Sequence, residues 1–169
     1  MADATVQQIQ QAVVAYAGAY GIDPQIALAQ IAKESSFNQW ATGLAGERGL
    51  GQIMEATWYE YAPPDIDFNY AWDIDYNLTV WGEYMNALLT KYGFDAPGYT
   101  KALEAYNGGP GNVDRGTVSA AAQNYAASIL AASGATSLPS GAPDQPNGPG
   151  AVPTWAWVAL AVVLIFTLK

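Results

Sequence analysis

The sequence predicts an all-α (mainly α) domain, followed by a Gly/Pro-rich linker and a single C-terminal transmembrane helix. Three observations carry that expectation. Apolar residues recur at helical spacing through most of the first 130 positions. From Ser133 to Gly150 the composition turns to Gly, Pro, Ser and Ala. Beyond it, Ala151 to Leu168 is apolar and carries no charge until the terminal Lys169. The expected units are therefore a folded domain over 1–132, a linker over 133–150 and an anchor over 151–169.

In chain order, Val6, Ile9, Val13, Val14 and Ala17 place a first helix over Thr5 to Ala19, ending near Gly18 or Gly21. Asp23 offers an N-cap with Pro24 at the first helical position, and Ile26, Leu28, Ala29, Ile31 and Ala32 follow on a second helix that ends near Phe37. Glu34 falls in its last turn. Around Ala62-Pro63-Pro64 an irregular middle is expected. Ile74, Val80, Tyr84, Met85 and the leucines organise a longer helix from about Tyr76 to Tyr92, and Tyr99 to Tyr106 and Val118 to Leu130 make two more.

The run PSGAPDQPNGPG cannot bury a core, so the linker is expected to be flexible or partly extended. The apolar segment after it is about eighteen residues long, near the lower edge of what crosses a hydrocarbon core of roughly 30 Å. A buried C-terminal helix is the alternative. Trp155 and Trp157 cluster at one end as an interfacial anchor does, and the linker detaches the segment from the domain, which favours the membrane. The start, MADATVQQIQ, has neither the basic residues nor the apolar stretch of a secretory signal, so no export route is expected from it.

A chain of 169 residues is long enough for one domain with a real core. A net charge of -9 with only 6 Lys and Arg argues against nucleic acid as partner, because phosphates require clustered basic residues. His and Cys are both absent, which removes Ser-His-Asp and Cys-His nucleophile systems, the usual zinc sites and disulfide scaffolds. No cofactor and no metal are expected. Chemistry run by carboxylates remains, and glycosidic cleavage is such a chemistry: it needs a proton donor and charge stabilisation.

Three short blocks stand in order: Glu34-Ser35 inside AKESSF, Gly49-Leu50-Gly51-Gln52, and Ala105-Tyr106-Asn107-Gly108-Gly109. Tyr125, in AAAQNYAAS, stands on the last helix of the domain. Each block has a bland reading. Glu34 alone could be a solvated helix-end carboxylate, Ser35 a helix-terminal hydroxyl bonded to the backbone, GLGQ a turn, and Tyr106-Asn107 a helix end capped by Gly108 and Gly109 and stopped by Pro110. In this order they resemble the active-site motifs of the soluble lytic transglycosylases and goose-type lysozymes, over roughly Gln25 to Leu130.

That resemblance implies a lysozyme-like fold and cleavage of the β-1,4 bond between N-acetylmuramic acid and N-acetylglucosamine in peptidoglycan glycan strands. By resemblance Glu34 is the general acid and then the base, and Ser35, Gln52, Tyr106, Asn107 and Tyr125 bind or position substrate. An acidic chain is no obstacle, since the family's cleft binds neutral sugar edges and amides. Trp40, Trp58, Tyr59, Tyr61 and Trp72 offer a sugar-stacking wall, with burial in the core as the alternative for each.

A transglycosylase uses the substrate's own N-acetyl oxygen and a ring hydroxyl, so it ends in 1,6-anhydromuramoyl products, whereas a hydrolase needs a second placed carboxylate. Glu47, Asp65, Asp67, Asp73 and Asp75 are available for that role. The lytic transglycosylase is the leading expectation; a lysozyme-type hydrolase and a non-catalytic glycan-binding or structural membrane protein are the alternatives. The chain departs from the family at Gly43 to Arg48, where many members have Ser-x-x-Gly-Ala, and at Gly108, where Ala is common. The topology suggests an enzyme held in the virion membrane of a membrane-containing phage, beside other virion membrane proteins, and aiding wall penetration; the bacterial inner membrane is the cellular counterpart.

Overall fold

The structure, a computed structural model, describes residues 4–134. The expected linker and anchor lie outside the described residues, apart from the last positions before Ala135. Among the described residues no helix is long and apolar enough to cross a membrane.

Helix α1 (Val6–Ala19) opens on a reciprocal cap in which Thr5 and Gln8 satisfy each other's backbone amides. Helix α2 (Pro24–Ser35) starts where Asp23 accepts from the amides of Gln25 and Ile26, with Pro24 supplying a preset φ. It ends because Ser36 and Phe37 turn to positive φ, 52° and 61°. After a loop come α3 (Glu55–Tyr61), a 3-10 turn (Phe68–Tyr70), α4 (Ile74–Tyr92), α5 (Ala96–Gly108), α6 (Pro110–Asp114) and α7 (Ala120–Ser133).

Helix α4 is the central element. Asn77 to Gly82 are buried in an unbroken run, which happens only when neighbours cover a helix on all sides. Helices α1, α3 and α5 pack against it, while α7 closes the bundle by packing on α2 and α5. Ile26, Ile31, Leu50, Leu78, Trp81, Met85, Leu89, Leu103 and Ile129 fill the shared interior.

The long helices agree with their periodicity, with shifts at the ends. Asp73 caps α4, so it begins at Ile74 rather than Tyr76; Asp95 caps α5 ahead of Tyr99; and Ser119 caps α7, moving it two positions along the chain. The stretch over 62–67 is irregular as expected, but it is bracketed by α3 and the 3-10 turn, which the apolar pattern had not marked. Pro110 does more than stop α5, since it is also the first residue of α6.

Between α2 and α3 the chain forms a small antiparallel arm in which Thr42 pairs with Arg48 and Arg48 with Ile53. The arm carries the GLGQ block and stands opposite the end of α2.

Candidate active site

Glu34 occupies the last turn of α2, largely enclosed by its neighbours. Its Oε1 accepts a hydrogen bond from the Tyr125 hydroxyl on α7. Behind that tyrosine lies Gln30, one helical turn before Glu34 and fully buried. Gln30 Nε2 donates to the Tyr125 oxygen at 3.2 Å, and Gln30 Oε1 accepts from Trp81 Nε1 of α4, also at 3.2 Å. Helices α2, α4 and α7 are thus joined by polar groups at one carboxyl.

Burial pushes the Glu34 carboxyl from its ordinary 4.5 up to about 7. The Tyr125 bond opposes that rise, the negative charge of Glu47 adds to it, and Lys33 opposes it weakly. Tyr106 and Tyr125 are both held well above the usual phenol range, first by burial and then by the charge of Glu34, so neither ionises beside the acid. At neutral pH the site therefore retains a carboxylic acid able to donate, the property a general acid needs.

The facing wall is the arm. Asn77, buried on α4, accepts from Gly51 N at 2.8 Å and donates to Arg48 O at 3.0 Å and Ala71 O at 2.6 Å. Gly49 has φ 75°, and a Cβ there would lie 2.2 Å from the Ala71 carbonyl oxygen, so both conformation and space call for glycine. Gln52, itself at φ 49°, donates its amide to Gly49 O at 2.9 Å and Ala41 O at 3.2 Å. Its side-chain carbonyl remains an acceptor and converges with the Glu47 carboxylate on Gly43, where a Cβ would meet them at 2.9 and 2.2 Å.

Successive residues of an extended segment point to opposite sides. Arg48 accordingly turns away, its guanidinium held between Phe68 and Trp72 with ring centroids at 4.2 and 4.3 Å and bonded to Phe68 O at 3.1 Å. Glu47 turns the other way and is left without that cation; it accepts from the Ala45 amide at 2.9 Å. Of the five carboxylates available as a second acid, Glu47 is the one whose charge acts on Glu34. Asp67 and Asp73 cap helices, Asp75 binds the Tyr16 hydroxyl at 3.1 Å, and Asp65 lies in the loop after α3.

The remaining sequence-expected residues divide. Tyr106 on α5 donates to Gly51 O at 2.7 Å, tying the third block to the second, and its ring lies 5.2 Å from Tyr84. Ser35 is buried and donates to Ile31 O at 3.2 Å, the geometry of a helix-terminal serine. Asn107 is exposed on the last turn of α5, and the loop beyond it is held instead by Asn112, which donates to Gly108 O at 2.7 Å. In the proposed aromatic wall, Trp58 is fully buried and bonded to Ile66 O, so it cannot stack a sugar, and Trp72 flanks Arg48. Trp40 and Tyr59 keep exposed faces.

Gln30, Asn77 and Asn112 are the participants sequence reasoning had not assigned. Gln30 was recognisable as a polar residue one turn before Glu34 in an otherwise apolar run; its tie to Tyr125 spans 95 positions and has no local signature. Among the described residues no group of three acidic, His or Cys side chains converges as metal ligands would. A groove of about 350 Å³ runs along 59–67, with an adjoining one of about 200 Å³ reaching Thr79 and Glu83, and neither is lined by Glu34 or its partners.

The family model described as Transglycosylase SLT domain matches residues 11–129. Among solved structures, the chain is similar to an inactive mutant of the lytic transglycosylase Slt from Pseudomonas aeruginosa, with TM-score 0.65 and 20% identity. It is likewise similar to the 70 kDa soluble lytic transglycosylase from Escherichia coli, with TM-score 0.61 and 22% identity, and to a complex of the 70-kDa soluble lytic transglycosylase with bulgecin A, with TM-score 0.64 and 20% identity. Each alignment covers 73% of this chain and 23% of the other, so the chain spans about a quarter of those proteins' length. At such identities the likeness is one of fold.

Proposed function

The chain belongs to the transglycosylase SLT domain family, and from that premise we propose that it is a peptidoglycan lytic transglycosylase with Glu34 as its acid. The observation that carries the proposal is the state of Glu34: a carboxyl held up at about 7, oriented by Tyr125 and facing the arm with the GLGQ block. In this reading Glu34 gives its proton to the glycosidic oxygen as the bond to the muramoyl carbon breaks. The N-acetyl oxygen of the substrate covers the developing positive charge. The Glu34 carboxylate then takes the proton of the muramoyl 6-hydroxyl, which closes the 1,6-anhydro ring and regenerates the acid.

The other members of the site support that cycle in different ways. Tyr106 and Asn77 hold the loop backbone, and Gln52 presents a carbonyl acceptor for an acetamido N–H or a sugar hydroxyl. Asn107, exposed on the last turn of α5, is free to meet the glycan. Ser35 keeps only acceptor capacity once its hydroxyl has donated to Ile31.

Glu47 favours one alternative, a lysozyme-type hydrolysis in which this carboxylate activates water. Product analysis separates the two. Mass spectrometry of muropeptides released from purified peptidoglycan by the full chain is expected to show anhydromuramoyl ends, absent with Glu34→Gln. Reducing muramoyl ends lost in both Glu34→Gln and Glu47→Gln would establish the hydrolase, and tight glycan binding without release would make the domain a binding module.

The apolar run at 151–168 supports attachment to a membrane, with a phage particle as the setting that the sequence favours. Co-flotation of the full chain with lipid vesicles, lost when 151–169 is removed, is the expected result; flotation unaffected by the removal would contradict it.

A further inference from the structure

The amide of Gln30 has a forced orientation. An indole N–H can only donate, so the Gln30 atom facing Trp81 Nε1 is the carbonyl oxygen, and the NH2 group faces Tyr125. The Tyr125 oxygen therefore accepts from Gln30. Its own hydrogen has one partner at hand, Glu34 Oε1. Every bond in the series Trp81, Gln30, Tyr125, Glu34 points the same way, and the first three residues are buried.

We propose that Gln30 is a positioning residue: by donating to Tyr125 it makes the tyrosine an obligate donor to Glu34, which keeps the acid's proton on the carboxyl oxygen that Tyr125 does not touch. This rests on the reading of Glu34 as the acid. Were Gln30 unable to donate, Tyr125 would be free to accept from the protonated carboxyl, and the proton could settle in the bond to the tyrosine, out of the substrate's reach. No atom of Gln30 contacts the reacting centre; it acts through Tyr125.

The other groups that act electrostatically around Glu34 do not impose this direction. Glu47 on the arm adds negative charge, Lys33 on α2 adds positive charge, and Tyr106 on α5 is committed to Gly51 O. Met85, which also lies against Gln30 Nε2 at 3.6 Å, offers a weak acceptor and cannot replace the Trp81 donor.

The test is a double-mutant cycle on the full chain, read both by turnover on purified peptidoglycan and by carboxyl-carbon NMR titration of labelled glutamate. Gln30→Met keeps the volume and removes the donor. Loss of that donor weakens the bond Tyr125 gives to the carboxylate, so the Glu34 midpoint should move up by about half a pH unit. In the same variant kcat should fall by about fivefold with KM within about twofold. Both effects should vanish in a Tyr125→Phe background. An unchanged midpoint, or an equal loss of kcat in that background, would reduce Gln30 to packing and overturn the proposal. Should Gln30→Met fail to fold, Trp81→Phe frees the amide to flip and is expected to shift the midpoint in the same direction by less; no shift there overturns the proposal as well. If the wild type releases no muropeptides yet the midpoints respond as stated, the directed chain stands and the enzymatic reading of Glu34 falls.

Discussion

Two carboxyl–tyrosine pairs in this molecule have the same chemistry and different surroundings. Asp75 accepts from Tyr16 across α1 and α4, and Glu34 accepts from Tyr125 across α2 and α7. In both, burial raises the carboxyl pKa and the tyrosine bond opposes the rise. Asp75 stands in the first turn of α4, where free amides favour an anion, and its side is open to solvent. Glu34 stands in the last turn of α2, where carbonyls disfavour an anion, and it faces Glu47 with Arg48 drawn away between two rings. Each carboxyl also has a like-charged neighbour that raises it, Asp73 beside Asp75 and Glu47 beside Glu34, so neither that nor a tyrosine partner makes an acid catalyst; the helix end and the enclosure do.

The widest separation between the pairs should appear in turnover. Glu34→Gln is expected to lower muropeptide release by about 10³-fold, the scale of a lost general acid, while Asp75→Asn stays within about twofold. Comparable losses from both would dissolve the distinction.

Stability should separate them next. The folded-state pKa of Glu34 is raised, from 4.5 to about 7, so its neutral form adds stability that is fully present below pH 4.5 and lost as pH rises through 7. A shift of that size corresponds to about 3 kcal/mol. Glu34→Gln should therefore raise the denaturation midpoint at pH 8 and bring no such gain at pH 4, a trade of stability against function visible in chemical denaturation at the two pH values. The arm that sets Glu47 against Glu34 has no counterpart at Asp75. Asn77→Ala, which frees it, should lower stability by about 2 kcal/mol, read in the same denaturation curves, and should lower turnover with it.

Smaller effects sharpen the roles of the neighbours. Glu47→Gln should move the alkaline limb of the rate profile to lower pH by about half a pH unit, and Tyr125→Phe should move it higher by about one, because one removes a raising influence and the other a larger lowering one. Tyr16→Phe should leave that limb in place and lower stability by about 1 kcal/mol in denaturant titrations.

Much of this was legible before any coordinates. The long helices announced themselves through apolar period and through Asp23 with Pro24, because burial of one face and capping of free amides leave local marks. Helix α3 is 7 residues long and α6 is 5, neither with a side-chain cap, so each offers too few turns to establish a period. Glu34 and Tyr106 could be picked out by their blocks and Tyr125 by the resemblance alone, and the structure brings them around one carboxyl and one loop. Asn77 could not, and Gln30 stood out only as a helix neighbour of Glu34 with no sign of its tie to Tyr125, since a lone polar residue in an apolar run reads equally as a solvated edge or a buried hub until its distant partners are known. The same distance hid the division between Glu47 and Arg48, adjacent in sequence and opposite in orientation.

The pH dependence of kcat/KM for muropeptide release by the full chain tests most directly whether its surroundings make Glu34 the acid. A rate that holds through mildly acidic pH and falls above about 7 is the predicted result. A fall beginning near pH 4.5, where an ordinary glutamate ionises, would contradict the account, as would a rate independent of pH through 9.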